Sequence, residues 1–172
     1  MRPEELSAQL RHGAGPHLAR RRGVVSLSLA AAASMGLIAL YQIGILKHLP
    51  DPPLPFFDSD KVDASAEAYS YFATPDAVLG LASYSGTMVL AAMGGQDRAT
   101  RQPWLPLALA AKVALDALGA GKLTIDQWTK HRAFCLWCLL AASATFATVP
   151  LAVPEARAAL RHLRGEATEG HR

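Results

Sequence analysis

The chain has 172 residues, 51% hydrophobic and 18% charged, against about 25% charged in ordinary soluble domains. Its apolar residues gather in long runs, so it reads as one membrane-embedded domain. The net charge of +3 comes from basic residues at the tails and in one loop, with no patch interleaved with aromatics, which argues against nucleic acid as a partner.

Residues 1–23 are polar and end in Arg20-Arg21-Arg22. The apolar run 24–46 follows, roughly 34 Å of helix and long enough to cross a hydrocarbon core with some tilt. A signal peptide is the rival reading, since Ala30 to Ala33 offer a cleavable stretch. The run exceeds a typical h-region, so an uncleaved first span is expected. Residues 47–74 form the longest polar segment, with Asp51-Pro52-Pro53 and Phe56-Phe57-Asp58-Ser59-Asp60. The prolines forbid a regular helix at its start. Residues 65–72 are predicted as a short amphipathic helix at the interface, anchored by Tyr69, Tyr71 and Phe72.

A second span starts at Pro75, suited to a first helical turn, and runs to about residue 93. Gly80, Ala82, Ser83 and Gly86 let helices approach closely in lipid. The connection 94–102 is basic, with Arg98 and Arg101. A third span covers 104–125, interrupted by Lys112, Asp116 and Lys122. An intramembrane ionisable residue is a functional candidate by default. Lys112 and Asp116 lie four apart, however, and a paired couple near the cytoplasmic half is the expectation. Residues 126–133 lead to a fourth span, 134–153, and Pro154 with a basic tail (Arg157, Arg161, Arg164) closes the chain.

Arginines concentrate in the two tails and the 94–102 loop, whereas the acidic 47–74 loop holds only Lys47 and Lys61 as cations. The positive-inside rule therefore predicts an all-α integral membrane protein with both termini cytoplasmic. The tails are 1–23 and 154–172, around a four-span domain at 24–153. Lys130 and Arg132 in the second outer loop run against this arrangement. The outer side of a bacterial inner membrane is an oxidising compartment, suited to a redox-active dithiol.

The sharpest feature is Phe134-Cys135-Leu136-Trp137-Cys138, which holds the only two cysteines. Spaced C-x-x-C, they close almost no loop and cannot staple a fold, which leaves a reactive pair or half a metal site. At a helix start the N-terminal dipole and free N–H groups favour the thiolate, the species that attacks a disulfide or an electron-deficient ring. Three readings stand. One is a redox dithiol. A second is a metal site with His131 as third ligand, although structural zinc wants four. The third is a pair of small apolar fillers. A c-type haem would need histidine after Cys138, where Leu139 stands. The outer helix end favours the redox reading over the fillers.

The pattern of four spans, an outward loop between the first two, and C-x-aromatic-C opening the fourth resembles the vitamin K epoxide reductase family. The resemblance extends to Ser65, Tyr69, Phe72-Ala73-Thr74-Pro75, Leu79-Gly80 and Tyr84, and covers roughly residues 24–153. It implies a four-helix bundle around a quinone pocket capped by the first outer loop. The implied activity is quinone-linked thiol–disulfide exchange supporting disulfide formation, with menaquinone or ubiquinone as acceptor and no metal. The implied thiol donor is a thioredoxin-like exported protein or a small thiol.

By that resemblance Cys138 faces the quinone and forms a transient thiol adduct, and Cys135, nearer solvent, exchanges disulfides. Ser65, Phe72 and Tyr84 are the implied quinone-binding residues, although Tyr84 also reads as a tyrosine packed between helices. Trp137 is expected to face lipid or the interface. The chain departs from the family at the first outer loop, where members carry a further cysteine pair and this chain has Ser59, Asp60 and their neighbours. No intramolecular relay is then possible. Either a thiol partner meets Cys135 directly, or turnover is lost and the protein serves as a non-enzymatic membrane interaction partner.

Overall fold

A computed structural model of the chain describes residues 2–70 and 72–169. Tyr71, one of the expected interfacial anchors, lies outside the described residues. Within the stretch read as a polar tail, Pro3–His12 forms a helix, α1. Pro3 opens it, Glu4 and Glu5 occupy its first turn and Arg11 and His12 its last, the charge order that a helix dipole favours. Helix α2, Leu18–Gln42, begins ahead of the apolar run and takes Arg20 to Arg22 into its first turns.

The outer loop then forms a short helix α3, Ser59–Asp63, whose N-cap Asp58 accepts from the Lys61 N–H at 3.0 Å. The amphipathic helix expected over 65–72 is reduced to one 3-10 turn, Ala66–Tyr69. Phe72 (φ +55°) and Ala73 (φ +51°) enter the left-handed region and stop it.

Helix α4 is Asp76–Ala92, with Pro75 as its N-cap. It is followed by α5, Arg98–Arg101, and α6, Trp104–Asp126, which runs on into a π turn at Gln127–His131. Helix α7 is Leu136–Glu169. Among the described residues there is no strand, only an isolated bridge between Phe57 and Phe134.

The chain is all-helical, and α2, α6 with its π turn, and α7 are long and apolar enough to cross a membrane. The second predicted span, α4, is apolar but has 17 residues, about 25 Å of helix. It packs closely on α2, where a Cβ added to Gly80 would lie 3.0 Å from the Met35 sulfur. Helix α2 also packs against α7, and α6 packs against α7 and more lightly against α4.

Helix α7 extends beyond the span expected at 134–153, continuing through Pro150 and Pro154. Each proline removes a backbone hydrogen bond, but packing beyond them overrides that preference. Ala152, Ala156 and Ala159 are buried, and Glu155 takes a bidentate pair of bonds from Arg98 at 2.9 and 2.7 Å. Arg98 also donates to the carbonyls of Leu90 and Met93. Arg21 donates to those of Ala91, Ala92, Met93, Gly94 and Gly95 at 2.8–3.2 Å. Two buried guanidinium groups thus satisfy the carbonyls that the end of α4 leaves open. Gly94 turns the chain away at φ +78°, and a Cβ there would meet Gln102 and Leu105 at 3.0 Å.

Candidate functional site

The site forms where the outer loop is stitched onto the start of α7. Arg132, at φ +52°, ends the π turn, and its guanidinium lies over the Trp128 ring, which stacks on Phe134. The Phe134 N–H donates to the Phe56 carbonyl at 2.8 Å, and the Asp58 N–H donates to the Phe134 carbonyl at 3.1 Å. The Trp137 indole N–H donates to the Pro50 carbonyl at 3.0 Å, so this ring pins the loop instead of only facing lipid.

Three N–H groups at the start of α7 find side-chain acceptors. Gln127 Oε1 accepts from Cys135 N at 2.8 Å, and Ser59 Oγ accepts from Leu136 N at 3.1 Å. The Cys135 sulfur accepts from Cys138 N at 3.1 Å, which makes Cys135 the side-chain cap of the helix. Ser59 is fully buried, and its hydroxyl donates to Asp51 Oδ1 at 2.6 Å. The residue standing at the place expected of a loop cysteine is therefore hydrogen-bonded to the first turn of the dithiol helix.

Cys135 is 0% exposed, which corrects its expected place near solvent. The outer loop is tied to both of its neighbours, Phe57 bridging Phe134 and Ser59 accepting from the Leu136 N–H, and Gln127 holds its backbone. Cys138 is half-buried, and both cysteines are free thiols. The Cys138 thiol donates to Asp63 Oδ1 at 3.5 Å. Asp63 is 2% exposed, and its Oδ2 has no hydrogen-bond partner. Burial pushes the Asp63 carboxyl up to about 6; the adjacent thiols of Cys135 and Cys138 oppose the rise, and the nearby carboxylates of Asp76 and Asp51 add to it.

The two sulfurs and an Asp63 carboxylate oxygen lie within 4.8 Å of one another. That is one ligand short of a structural zinc site, and His131 is not among the three. The arrangement brings two thiols close to each other and a carboxyl group close to both.

Cys138, Asp63, Ser65 and Tyr84 line a cavity of about 440 Å³ between the outer loop, α4, α6 and α7, within the range of small-molecule sites. Its walls include Met35, Leu79, Gly80, Leu115 and Ala141. Tyr84 also shares a hydrogen bond with Thr145 at 3.0 Å, so it both lines the cavity and ties α4 to α7.

Three of the expected site residues, Cys138, Ser65 and Tyr84, meet at this cavity. Cys135 sits behind it. Phe72 is 90% exposed and not among the lining residues. The Lys112–Asp116 pair forms at 2.7 Å, and Ser83 and Thr87 of α4 donate to Asp116, which also lines the cavity. Asp63 and Gln127 escaped sequence reasoning. The clue to Asp63 was a carboxylate set between the apolar Val62 and Ala64 in an otherwise polar loop.

Long apolar helices enclosing a cavity, with two free thiols at its edge, are those of a helical membrane protein. Residues 23–153 match the vitamin K epoxide reductase family, and the chain belongs to that family. Its members are in general quinone-linked thiol oxidoreductases. Comparison with curated proteins gave no match.

Proposed function

We propose that the protein is a quinone-dependent thiol–disulfide oxidoreductase working through Cys135 and Cys138. In this reading α2, α4, α6 and α7 form a four-span bundle in a bacterial inner membrane, with both termini cytoplasmic and the dithiol facing the periplasm. Electrons enter from a thioredoxin-like exported protein or a small thiol and leave to menaquinone or ubiquinone, supporting disulfide formation. The observation that carries the reading is Cys138 on the wall of an apolar cavity with the Cys135 sulfur within 4.8 Å of its own.

The cavity fits a quinone head group. Its walls are apolar at Met35, Ile38, Leu79, Leu115, Ala141 and Ala142, charged groups of α6 and the π turn (Asp116, Lys122, Lys130) line the rest, and Ser65 and Tyr84 offer hydroxyl groups. Quinone bound there would accept two electrons and two protons. The residues' own contribution is to hold it: Tyr84 is fixed by Thr145, and the loop over α7 keeps bulk water from the sulfurs. Phe72, outside the cavity, is left as a surface anchor. Because Cys135 is sealed, a thiol partner reaches it only when the loop bearing Ser59 lifts from Leu136.

Purified protein in lipid nanodiscs should reduce a short-chain quinone when given a reduced thiol protein. Cys138→Ala should abolish this, and Cys135→Ala should lose exchange with the donor. Full activity in both single variants would refute the mechanism. A second reading, a family member that keeps the fold as a membrane interaction protein, draws on Ser59 in place of a loop cysteine and on the burial of Cys135. A dithiol that never cycles with quinone would favour it.

A further inference from the structure

The carboxyl group of Asp63 has no part in the chemistry so far, yet it is buried against both sulfurs. Its Oδ1 accepts from the Cys138 thiol at 3.5 Å, and its Oδ2 is buried without a partner beside the cavity. A buried carboxyl oxygen with no donor is costly unless it is protonated or has work to do.

The groups that bear on it are the Cys135 and Cys138 thiols, Asp76 from α4, Asp51 from the outer loop and Tyr41 from α2. Lys122 of α6 and Lys130 and His131 of the π turn line the same cavity, and Lys122 and Lys130 pair with Asp126 at 2.7 and 3.2 Å. With no ion pair to Asp63 among the described residues, a second negative charge beside it is disfavoured, and the carboxyl and the Cys138 thiol compete to keep one proton between them.

We propose that Asp63 is a catalytic residue that takes the Cys138 thiol proton and hands it to the quinone in the cavity. This rests on the function proposed above and adds a proton carrier to it. Over the whole reaction the two thiol S–H bonds break and the Cys135–Cys138 S–S bond forms. Two electrons pass to the quinone, and two protons complete the quinol. Asp63 moves the first of these protons, from Cys138 Sγ to its own carboxyl and on to a quinone oxygen. It ends the cycle as the carboxylate it began as. The sulfur gains its negative charge while the proton stays alongside, so no net charge enters the cavity as the thiolate forms.

The first test needs no quinone. In the full-length protein in nanodiscs, alkylation of Cys138 by a small maleimide is followed by mass spectrometry as a function of pH. The wild type should show two limbs. One is a rise centred near the Asp63 value of about 6, followed by a plateau where the pair shares one proton. The other is a further rise in alkali. Asp63→Asn should lose the lower limb and keep one rise, and Asp63→Glu should restore both. In the second test, reduction of a short-chain benzoquinone at neutral pH should fall by at least about a hundredfold in Asp63→Asn, with partial recovery in Asp63→Glu.

A wild-type alkylation profile without the lower limb would overturn the proposal, and that result needs no variant to fold. Wild-type quinone reduction in Asp63→Asn, with Cys138→Ala inactive, would overturn the role of Asp63 and leave the proposed function standing. A wild type that never reduces quinone would overturn both.

Discussion

The burial of Asp63 makes a stability prediction whose sign and size follow from the structure. In the folded protein its carboxyl titrates near 6, against 3.8 for an ordinary aspartate. A raised folded value means that the folded state holds its proton more tightly than the unfolded chain. The associated stability is fully present below about pH 4 and is lost as pH rises through about 6. The gap of roughly two pH units corresponds to about 3 kcal/mol at about 1.4 kcal/mol per unit.

Asn has nearly the same shape and never ionises. Asp63→Asn should therefore be more stable than the wild type above pH 6, by about 1–3 kcal/mol once the amide's own need for partners is subtracted. The advantage should shrink toward zero as pH falls to 4. Thermal unfolding in nanodiscs, followed by far-UV circular dichroism at several pH values, gives the difference directly. A variant that melts below the wild type at pH 8, or a difference independent of pH, would refute the reasoning that Asp63 is an uncompensated buried acid.

Other substitutions test the elements that hold the site. Arg98→Ala should cost about 3–5 kcal/mol, because it strands the Glu155 carboxylate, whereas Arg2→Ala, which breaks the exposed pair with Glu5, should cost under about 1 kcal/mol; equal melting shifts would contradict this. Ser59→Ala removes the acceptor of the Leu136 N–H, and Cys135 should then be alkylated by a small maleimide roughly tenfold faster. An unchanged rate would show that Ser59 does not help to seal Cys135. Tyr84→Phe breaks the link to Thr145 and should raise the KM for quinone severalfold while leaving kcat nearly unchanged. A fall in kcat alone would place Tyr84 in the chemistry instead of in binding.

What the sequence made legible was local. The C-x-x-C pair, the long apolar runs of α2 and α6, and the Lys112–Asp116 couple each depend on residues within a few positions of one another, and the structure has all of them. The vitamin K epoxide reductase resemblance was legible from the same short motifs. What escaped depends on the chain folding back on itself. Asp63 is buried where the outer loop lies over α7, and Ser59, 76 positions before Cys135, accepts from the N–H of the residue after it. Arg21 and Arg98 look like cytoplasmic-side charges in the sequence; in the fold they fill the carbonyl end of α4 and hold Glu155. That pairing, with the buried alanines beside it, carries α7 past Pro154, where the fourth span was expected to have ended. Phe72 sits beside the motif that suggested it, but its left-handed backbone turns the chain before the ring reaches the cavity.

The most direct measurement is a single turnover. Fully reduced protein in nanodiscs, mixed without oxygen with one equivalent of a short-chain quinone, should yield one quinol per chain. Both thiols should disappear together into a Cys135–Cys138 disulfide. Quinone left unreduced while both thiols still titrate, or the same quinol yield from a chain with both cysteines changed to serine, would contradict electron transfer through this pair.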